Sequence, residues 1–112
     1  FNLTATTTTT LLTVSSNKLL KINRITCANV DGASAAELSL SIVKSNFTSA
    51  GVTNFDTSGT FFLAKTVSVP ADATLVVLDT PIYLMEADVL KGGANAASDL
   101  DLVISYEVID DA

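Results

Sequence analysis

Hydrophobic and polar residues alternate with a period of two along most of this chain. The most regular stretch lies near the end, where Leu100, Leu102 and Ile104 are separated by single residues and the pattern continues to Val108. Successive side chains of a β-strand point to opposite faces, so this alternation predicts half-buried strands. No stretch shows apolar residues at helical spacing for more than a turn or two. The chain is therefore predicted to be all-β.

The centre of the predicted fold is the segment of residues 60–85. Two apolar runs meet at residues 70–73, which contain Pro70 and Asp72, and we predict that they form a β-hairpin there. Residues 75–78 are apolar at every position, which predicts a central strand packed on both faces.

The second strand shows a slip in its alternation. Leu20 and Ile22 are at even-numbered positions, whereas Ile25 and Cys27 are at odd-numbered ones. A regular strand would therefore place the two pairs on opposite faces. One extra residue at positions 23–24 would return all four side chains to the same face, so we predict a β-bulge there.

The third strand and two loops complete the pattern. Residues 36–43 alternate, with Ser39 and Ser41 predicted on the outer face. The periodicity fades over residues 44–59, which we interpret as the longest loop. The Gly- and Ala-rich residues 91–98 are interpreted as a second loop.

Seven to eight strands result, with turn signals roughly every 8–12 residues. This spacing predicts an antiparallel β-sandwich or jelly roll, and 112 residues with 48% apolar content suffice for one such domain. We divide the chain into a Thr-rich N-terminal strand or arm, residues 1–16, and a β-sandwich domain, residues 17–112. The first segment is either an edge strand or an arm that pairs with an open sheet edge of a neighbouring subunit.

Composition excludes several kinds of partner. The net charge is −6 and the six cationic residues are scattered, which argues against binding nucleic acid. No apolar run approaches the roughly 18 residues of a membrane span. Cys27 is the only cysteine and histidine is absent, which excludes an intrachain disulfide and the usual zinc sites. Cys27 is predicted to be a small buried hydrophobe.

The residue types needed for catalysis are also scarce. A serine or cysteine nucleophile usually needs a histidine base, which this chain lacks. Glu86 and Asp88 are two residues apart, as are Asp99 and Asp101, and we interpret all four as solvated turn acids. The alternatives are a carboxylate hydrolase or a calcium site. The sequence predicts no catalytic residue, no metal and no cofactor.

The surface is predicted to pack against neighbouring molecules. Only 16% of the residues are charged, and threonine and serine replace them. The residues predicted to contact a partner lie in the N-terminal arm and in the longest loop: Thr6, Thr8, Thr10, Phe47, Val52 and Phe55.

Several motifs together carry a resemblance to a known class of proteins. They are Lys21-Ile-Asn-Arg-Ile25, Ala28-Asn-Val-Asp-Gly32, Leu63-Ala64, Val67-Ser-Val-Pro-Ala-Asp-Ala-Thr-Leu75, Pro81-Ile-Tyr-Leu84, Glu86-Ala-Asp88 and Ser105-Tyr106-Glu107. Over about residues 18–108, the chain resembles small virion structural proteins of tailed bacteriophages. The Thr-rich beginning is not part of this pattern.

This resemblance implies a capsid decoration (cement) protein without catalytic residues. The expected partners are the major capsid protein or other virion proteins, and the expected location is the outer capsid surface, with the neck or tail as the alternative. Closed symmetry on a local three-fold axis further favours self-association as a homotrimer.

A carbohydrate-binding or adhesion module is the alternative from another class. Sugar binding usually uses exposed aromatic side chains for stacking. Aromatic residues make up 6% of the chain, tryptophan is absent, and we place Tyr83 and Tyr106 inside strands.

Overall fold

A computed structural model describes residues 1–44 and 58–110 of the chain. This part contains eight β-strands and no helix, so it has no helix that could cross a membrane. The strands are β1 (Thr10–Thr13), β2 (Lys18–Asn29), β3 (Ala36–Lys44), β4 (Gly59–Val69), β5 (Thr74–Leu78), β6 (Ile82–Leu84), β7 (Val89–Ala94) and β8 (Leu100–Asp110). The predicted all-β fold is confirmed.

The strands form two antiparallel sheets that pack as a sandwich, as predicted. In sheet A, β2 lies in the centre, pairs with β8 along its whole length on one side, and pairs with β5 and β6 on the other. Sheet B has the order β1-β7-β3-β4. The two inner faces bury one hydrophobic core. Its members are Leu3, Val14, Leu20, Ile22, Ile25, Cys27, Ala36, Leu38, Leu40, Ala64, Val69, Leu84, Leu90, Ala94, Leu100 and Leu102.

The predicted bulge in β2 is confirmed. The register between β2 and β8 shifts between Ile22 and Arg24, where β2 contains one extra residue. Ile22, Ile25 and Cys27 are consequently all fully buried despite their different parity. Without the bulge, half of β2 would turn its apolar side chains to the solvent.

The predicted hairpin at residues 70–73 is wrong. The chain does turn there, and the Ala73 N–H donates to the Pro70 carbonyl oxygen (3.1 Å), but β4 belongs to sheet B and β5 to sheet A. Buried Asn29 holds both ends of this crossover. Its side-chain amide donates to the Val69 carbonyl (2.8 Å), and its backbone N–H donates to the Ala73 carbonyl (2.8 Å).

The prediction that residues 75–78 form a central strand is also wrong. Strand β5 pairs only with β2 in the described part of the chain, so it lies at an edge, and Val76 is about half exposed. An apolar run does not distinguish a covered face from an uncovered one.

Strands β3 and β4 differ from the simple alternation. Ser39 and Ser41 are buried rather than exposed, and the Thr66 N–H donates to the Ser39 hydroxyl oxygen (3.1 Å). The register between the two strands shifts twice, and Thr66 adopts a left-handed backbone conformation (φ 49°). These irregularities bury Ala64 and leave Leu63 exposed.

Residues 91–94 are not the predicted loop but continue β7 between β1 and β3. Gly92 and Gly93 are buried there. A Cβ atom on Gly93 would lie 2.4 Å from the Thr6 carbonyl oxygen, so only glycine lets the N-terminal segment approach this closely.

Candidate interaction surface

The N-terminal segment, residues 1–9, runs along one side of the sandwich and joins its two sheets. Its first residues extend sheet A, because the Leu3 N–H donates to the Leu100 carbonyl (2.8 Å) and the Leu102 N–H donates to the Phe1 carbonyl (2.7 Å). The Phe1 nitrogen donates back to the Leu102 carbonyl (2.8 Å). The Leu3 side chain is buried in the core.

Its later residues extend sheet B. The Ala94 N–H donates to the Thr4 carbonyl (2.9 Å), and the Gly92 N–H donates to the Thr9 carbonyl (3.0 Å). In this structure the segment therefore binds the sheets of its own chain. Its exchange between subunits stays a prediction.

The residues predicted to contact a partner fall into two groups. Thr6, Thr8 and Thr10 are exposed along the N-terminal segment, where they are accessible to a partner. The other three, Phe47, Val52 and Phe55, lie outside the described residues. Contact of either group with a partner stays a prediction.

A larger apolar surface lies on the outer face of sheet A, which sequence analysis did not single out. In one row of this face Thr26 lies between Val76 and Val103, and in another Lys21 lies between Tyr83 and Glu107. The exposed pair Arg24 and Ser105 lies between these two rows. The exposed fractions of the large apolar members are 45% for Val76, 55% for Tyr83, 65% for Val103 and 37% for Ile109. Exposed apolar side chains that share one sheet face with polar ones around them are typical of interaction surfaces.

The outer face was missed because its members come from distant parts of the chain. Each strand contributes only one or two exposed apolar residues, and single exposed residues are ordinary. The one available signal was the unbroken run of residues 75–78, which puts an apolar side chain on each face. Only the pairing of β5, β6 and β8 around β2 brings these side chains together.

An open cleft of about 140 Å³ lies on the opposite face of sheet A, between β1 and β8. Tyr106 and Val108 face the same side as the core, but they are 48% and 59% exposed because sheet B does not cover them. The residues that line the cleft are Leu12, Thr13, Val14, Ser15, Lys18, Leu20, Tyr106 and Val108. The cleft is mainly apolar, and Lys18, which pairs with Asp110, supplies the charge among its lining residues.

The two tyrosines are strand residues, as predicted, but their rings are exposed. Tyr83 is paired with Lys21, and Tyr106 is paired with Ile22, which is the next residue of β2. Adjacent residues of a strand point to opposite faces, so the two rings lie on opposite sides of sheet A. They therefore do not form one stacking platform.

The interpretation of Asp88 as a solvated turn acid is wrong. Asp88 is only 2% exposed, and its Oδ2 lies 2.9 Å from the Lys44 Nζ and accepts the Met85 N–H at 2.9 Å. Lys44 is 44 positions away, so spacing along the chain gives no sign of this pair. The neighbouring Glu86 is exposed, and its carboxylate accepts the Asn17 N–H (2.5 Å).

Asp101 is hydrogen-bonded and Cys27 is buried. The Asp101 carboxylate accepts a hydrogen bond from the Asn2 side-chain amide (2.8 Å). Cys27 is fully buried, and burial, with a smaller effect of the Asp101 charge, raises the pKa of its thiol to about 11. The thiol is therefore protonated at neutral pH and weakly nucleophilic. Within residues 1–44 and 58–110, no group of three or more His, Cys, Asp or Glu side chains could hold a metal ion.

A scan of the chain against protein-family models found no match, and searches among curated proteins and among solved structures found none either. The resemblance to virion proteins of tailed bacteriophages therefore stays a prediction. The described part of the chain is a two-sheet sandwich in which the outer face of sheet A, the cleft and the edge of β8 beyond Leu102 are uncovered by any described residue.

Proposed function

We propose that this protein is a bacteriophage virion structural protein, and specifically a capsid decoration protein that stabilises the shell by bridging capsomers. The observation that carries the proposal is the outer face of sheet A, where Val76, Tyr83, Val103 and Ile109 are exposed. They surround the charged side chains of Lys21, Arg24 and Glu107. The major capsid protein is the proposed partner of this face.

The physical properties of this face suit a cementing role. Its side chains stand on paired strands, so little backbone ordering is needed when a partner binds. A stable interface buries roughly 800 Å² on each partner, which is within the reach of one face of a small sandwich. Many copies on one particle multiply the effect of a weak single contact.

The test uses particles that carry the protein, stripped of it and then reloaded with purified protein. Wild-type protein should restore survival of the particles after heating or osmotic shock. Tyr83→Ser should bind and protect less well, because it removes the largest exposed side chain of the face. Val30→Ser is the matched control, since Val30 is about equally exposed but lies on the loop after β2. Equal survival of stripped and reloaded particles would contradict a cementing role.

A neck or tail component is the alternative within the same class. A count of copies per particle separates the two locations, because a decoration protein accompanies the capsid protein in number whereas a neck or tail protein forms one or a few rings. Closed symmetry on a local three-fold axis favours a homotrimer, and a native mass measurement on the free protein tests this state.

A carbohydrate-binding or adhesion module is the second candidate, and one observation favours it. Tyr83 and Tyr106 are both about half exposed, and exposed tyrosines can stack on sugars. Because they lie on opposite faces, each would have to bind a sugar by itself. A glycan array with wild-type protein tests this candidate. Binding lost in either Tyr83→Ala or Tyr106→Ala would support it, and an array without hits would remove it.

A further inference from the structure

The outer edge of β8 is divided into a paired part and a free part. Along an antiparallel strand, the N–H and C=O groups of alternate residues point to the same neighbour. Leu100 and Leu102 direct theirs away from β2, where they bond to Leu3 and Phe1. The same alternation directs the backbone groups of Ile104, Tyr106 and Val108 to the outer edge.

No described residue pairs with this edge beyond Leu102. The free stretch, residues 103–109, carries few of the features that usually protect an edge strand, and Glu107 is its one charged residue. It contains no lysine and no proline, and the extra residue in the β2–β8 register belongs to β2, so β8 itself is regular. Val103 and Val108 expose apolar side chains on its two faces. Such an edge accepts another strand.

We propose that the free edge pairs with the same edge of a second copy of this chain, antiparallel and about a two-fold axis at Tyr106. This contact joins the two A sheets into one continuous sheet. The proposal does not depend on the proposed capsid role.

The side chains of the edge are complementary to themselves in this register. Tyr106 lies opposite Tyr106 of the partner subunit, and Ile104 lies opposite Val108 of the partner subunit. On the other face, Val103 lies opposite Ile109 of the partner subunit. Apolar side chains thus meet apolar side chains on both faces, which is the favourable arrangement for cross-strand pairs.

Charge selects this register over its neighbours. With the axis at Tyr106, Glu107 lies opposite Ser105 of the partner subunit, and the two glutamates are not opposed. A shift by two residues in one direction places Glu107 opposite Glu107 of the partner subunit, which is destabilising. A shift in the other direction places it opposite Val103 of the partner subunit. Tyr106 is also the midpoint of the free stretch, so the selected register uses all of it.

The direction of the backbone N–H and C=O groups agrees with the same register. Tyr106, Ile104 and Val108 direct their groups outward, so the pairs they form are the hydrogen-bonded ones, and each pair exchanges two hydrogen bonds. On the inner face the contact brings apolar side chains of the partner beside Tyr106 and Val108, which line the open cleft. A two-fold contact gives a dimer, in contrast to the homotrimer predicted from closed three-fold symmetry.

Disulfide trapping tests the register. In a hydrogen-bonded antiparallel pair the Cα atoms are about 5.5 Å apart, which is suitable for a disulfide. Tyr106→Cys should therefore give a covalent dimer on mild oxidation. Val108→Cys is the matched control, with a similar exposure on the same strand face, but its two copies would be roughly 13 Å apart. The native Cys27 is buried and does not compete. Crosslinking of neither variant, or of both equally, would overturn the proposal.

A second variant tests the hydrogen bonds without a new cysteine. Val108→Pro removes an outward N–H and leaves the bonds between β8 and β2 in place, because proline is tolerated where the N–H faces away from the ladder. Sedimentation analysis should show dimerisation weakened by about tenfold or more, since two equivalent bonds are lost by symmetry. Val108→Ala retains the N–H and should dimerise much more like the wild type. An unchanged circular dichroism spectrum establishes that the variant is folded. A wild-type chain that stays monomeric at high concentration, or a dimer unaffected by Val108→Pro, would contradict the proposal.

Discussion

The two ends of β8 share the same alternation and the same partner strand, β2, and differ in what covers their inner face and outer edge. Leu100 and Leu102 are buried, and the segment that contains Leu3 covers their edge. Tyr106 and Val108 have the same parity and the same partner strand, β2, yet both are about half exposed. The difference shows that alternation defines which side chains share a face, whereas neighbouring elements decide whether that face is covered.

The largest expected effect comes from truncating a leucine at the covered end. Leu102→Ala should reduce the free energy of unfolding by about 2–5 kcal/mol, because it leaves a cavity in the core. Val108→Ala, at the open end, should change it by only about 0.5 kcal/mol. Urea denaturation at low protein concentration measures both. Similar losses in the two variants would show that the open end is covered in solution.

Releasing the N-terminal segment should make the covered end resemble the open one. Gly93→Ala places a methyl group 2.4 Å from the Thr6 carbonyl oxygen, and this overpacking should cost about 1–3 kcal/mol. The Leu102 amide, which donates to Phe1, should then exchange its hydrogen faster.

Gly32→Ala is the control for this substitution. The nearest atom to its new Cβ is a side-chain oxygen of Asp72 at 3.8 Å, an ordinary contact, so its unfolding free energy should change little. If Gly93→Ala leaves the Leu102 exchange rate unchanged, the segment does not depend on this close approach.

The wall of the cleft depends on polar contacts as well as on the apolar burial of Val14. Val14 is held by backbone hydrogen bonds with Asp88 and Ala87, and the Asp88 carboxylate is paired with Lys44. Asp88→Asn should cost about 1–2 kcal/mol, which is less than for a fully buried pair, because the Lys44 side chain can still reach water. Glu86→Gln, on the same turn but exposed, should change the unfolding free energy by about 0.5 kcal/mol at most. If Glu86→Gln lowered the unfolding free energy as much as Asp88→Asn does, the buried Asp88–Lys44 pair would not be the contact that stabilises this turn.

The smallest effect on the unfolding free energy is expected at Asp110, the last residue of β8. The ion pair with Lys18, through its hydrogen bond and its charge, lowers the pKa of Asp110 below the ordinary value of 3.8. Since the folded state binds this proton less tightly than the unfolded state, the stabilisation is present above pH 3.8. It is lost as the pH falls through the lower, folded-state pKa. Asp110→Asn should remove this small acid-dependent component. Unfolding curves of the two proteins that differ by the same amount at every pH would contradict the prediction.

Several features were predictable because they depend on local chemistry. The slip in parity after Ile22 predicted the bulge, since a buried face must stay apolar on both sides of an inserted residue. The chain turns at Asn17 and at residues 70–73, where turn-forming residues are concentrated. The features that the sequence did not predict depend on contacts with residues that are distant in the chain. Asp88 differs from an ordinary turn acid only through Lys44, and Gly93 differs from a loop glycine only through Thr6.

The sequence by itself determined that this chain forms strands, where most of them turn, and which side chains share a face, because these properties follow from the backbone period and from turn residues. Only the tertiary structure decided that β4 and β5 lie in different sheets, that the N-terminal segment covers one end of β8, and that no residue among 1–44 and 58–110 covers the other end. The physical reason is that burial and sheet membership depend on contacts between residues far apart in the chain. Local alternation allows many such arrangements, and packing selects one.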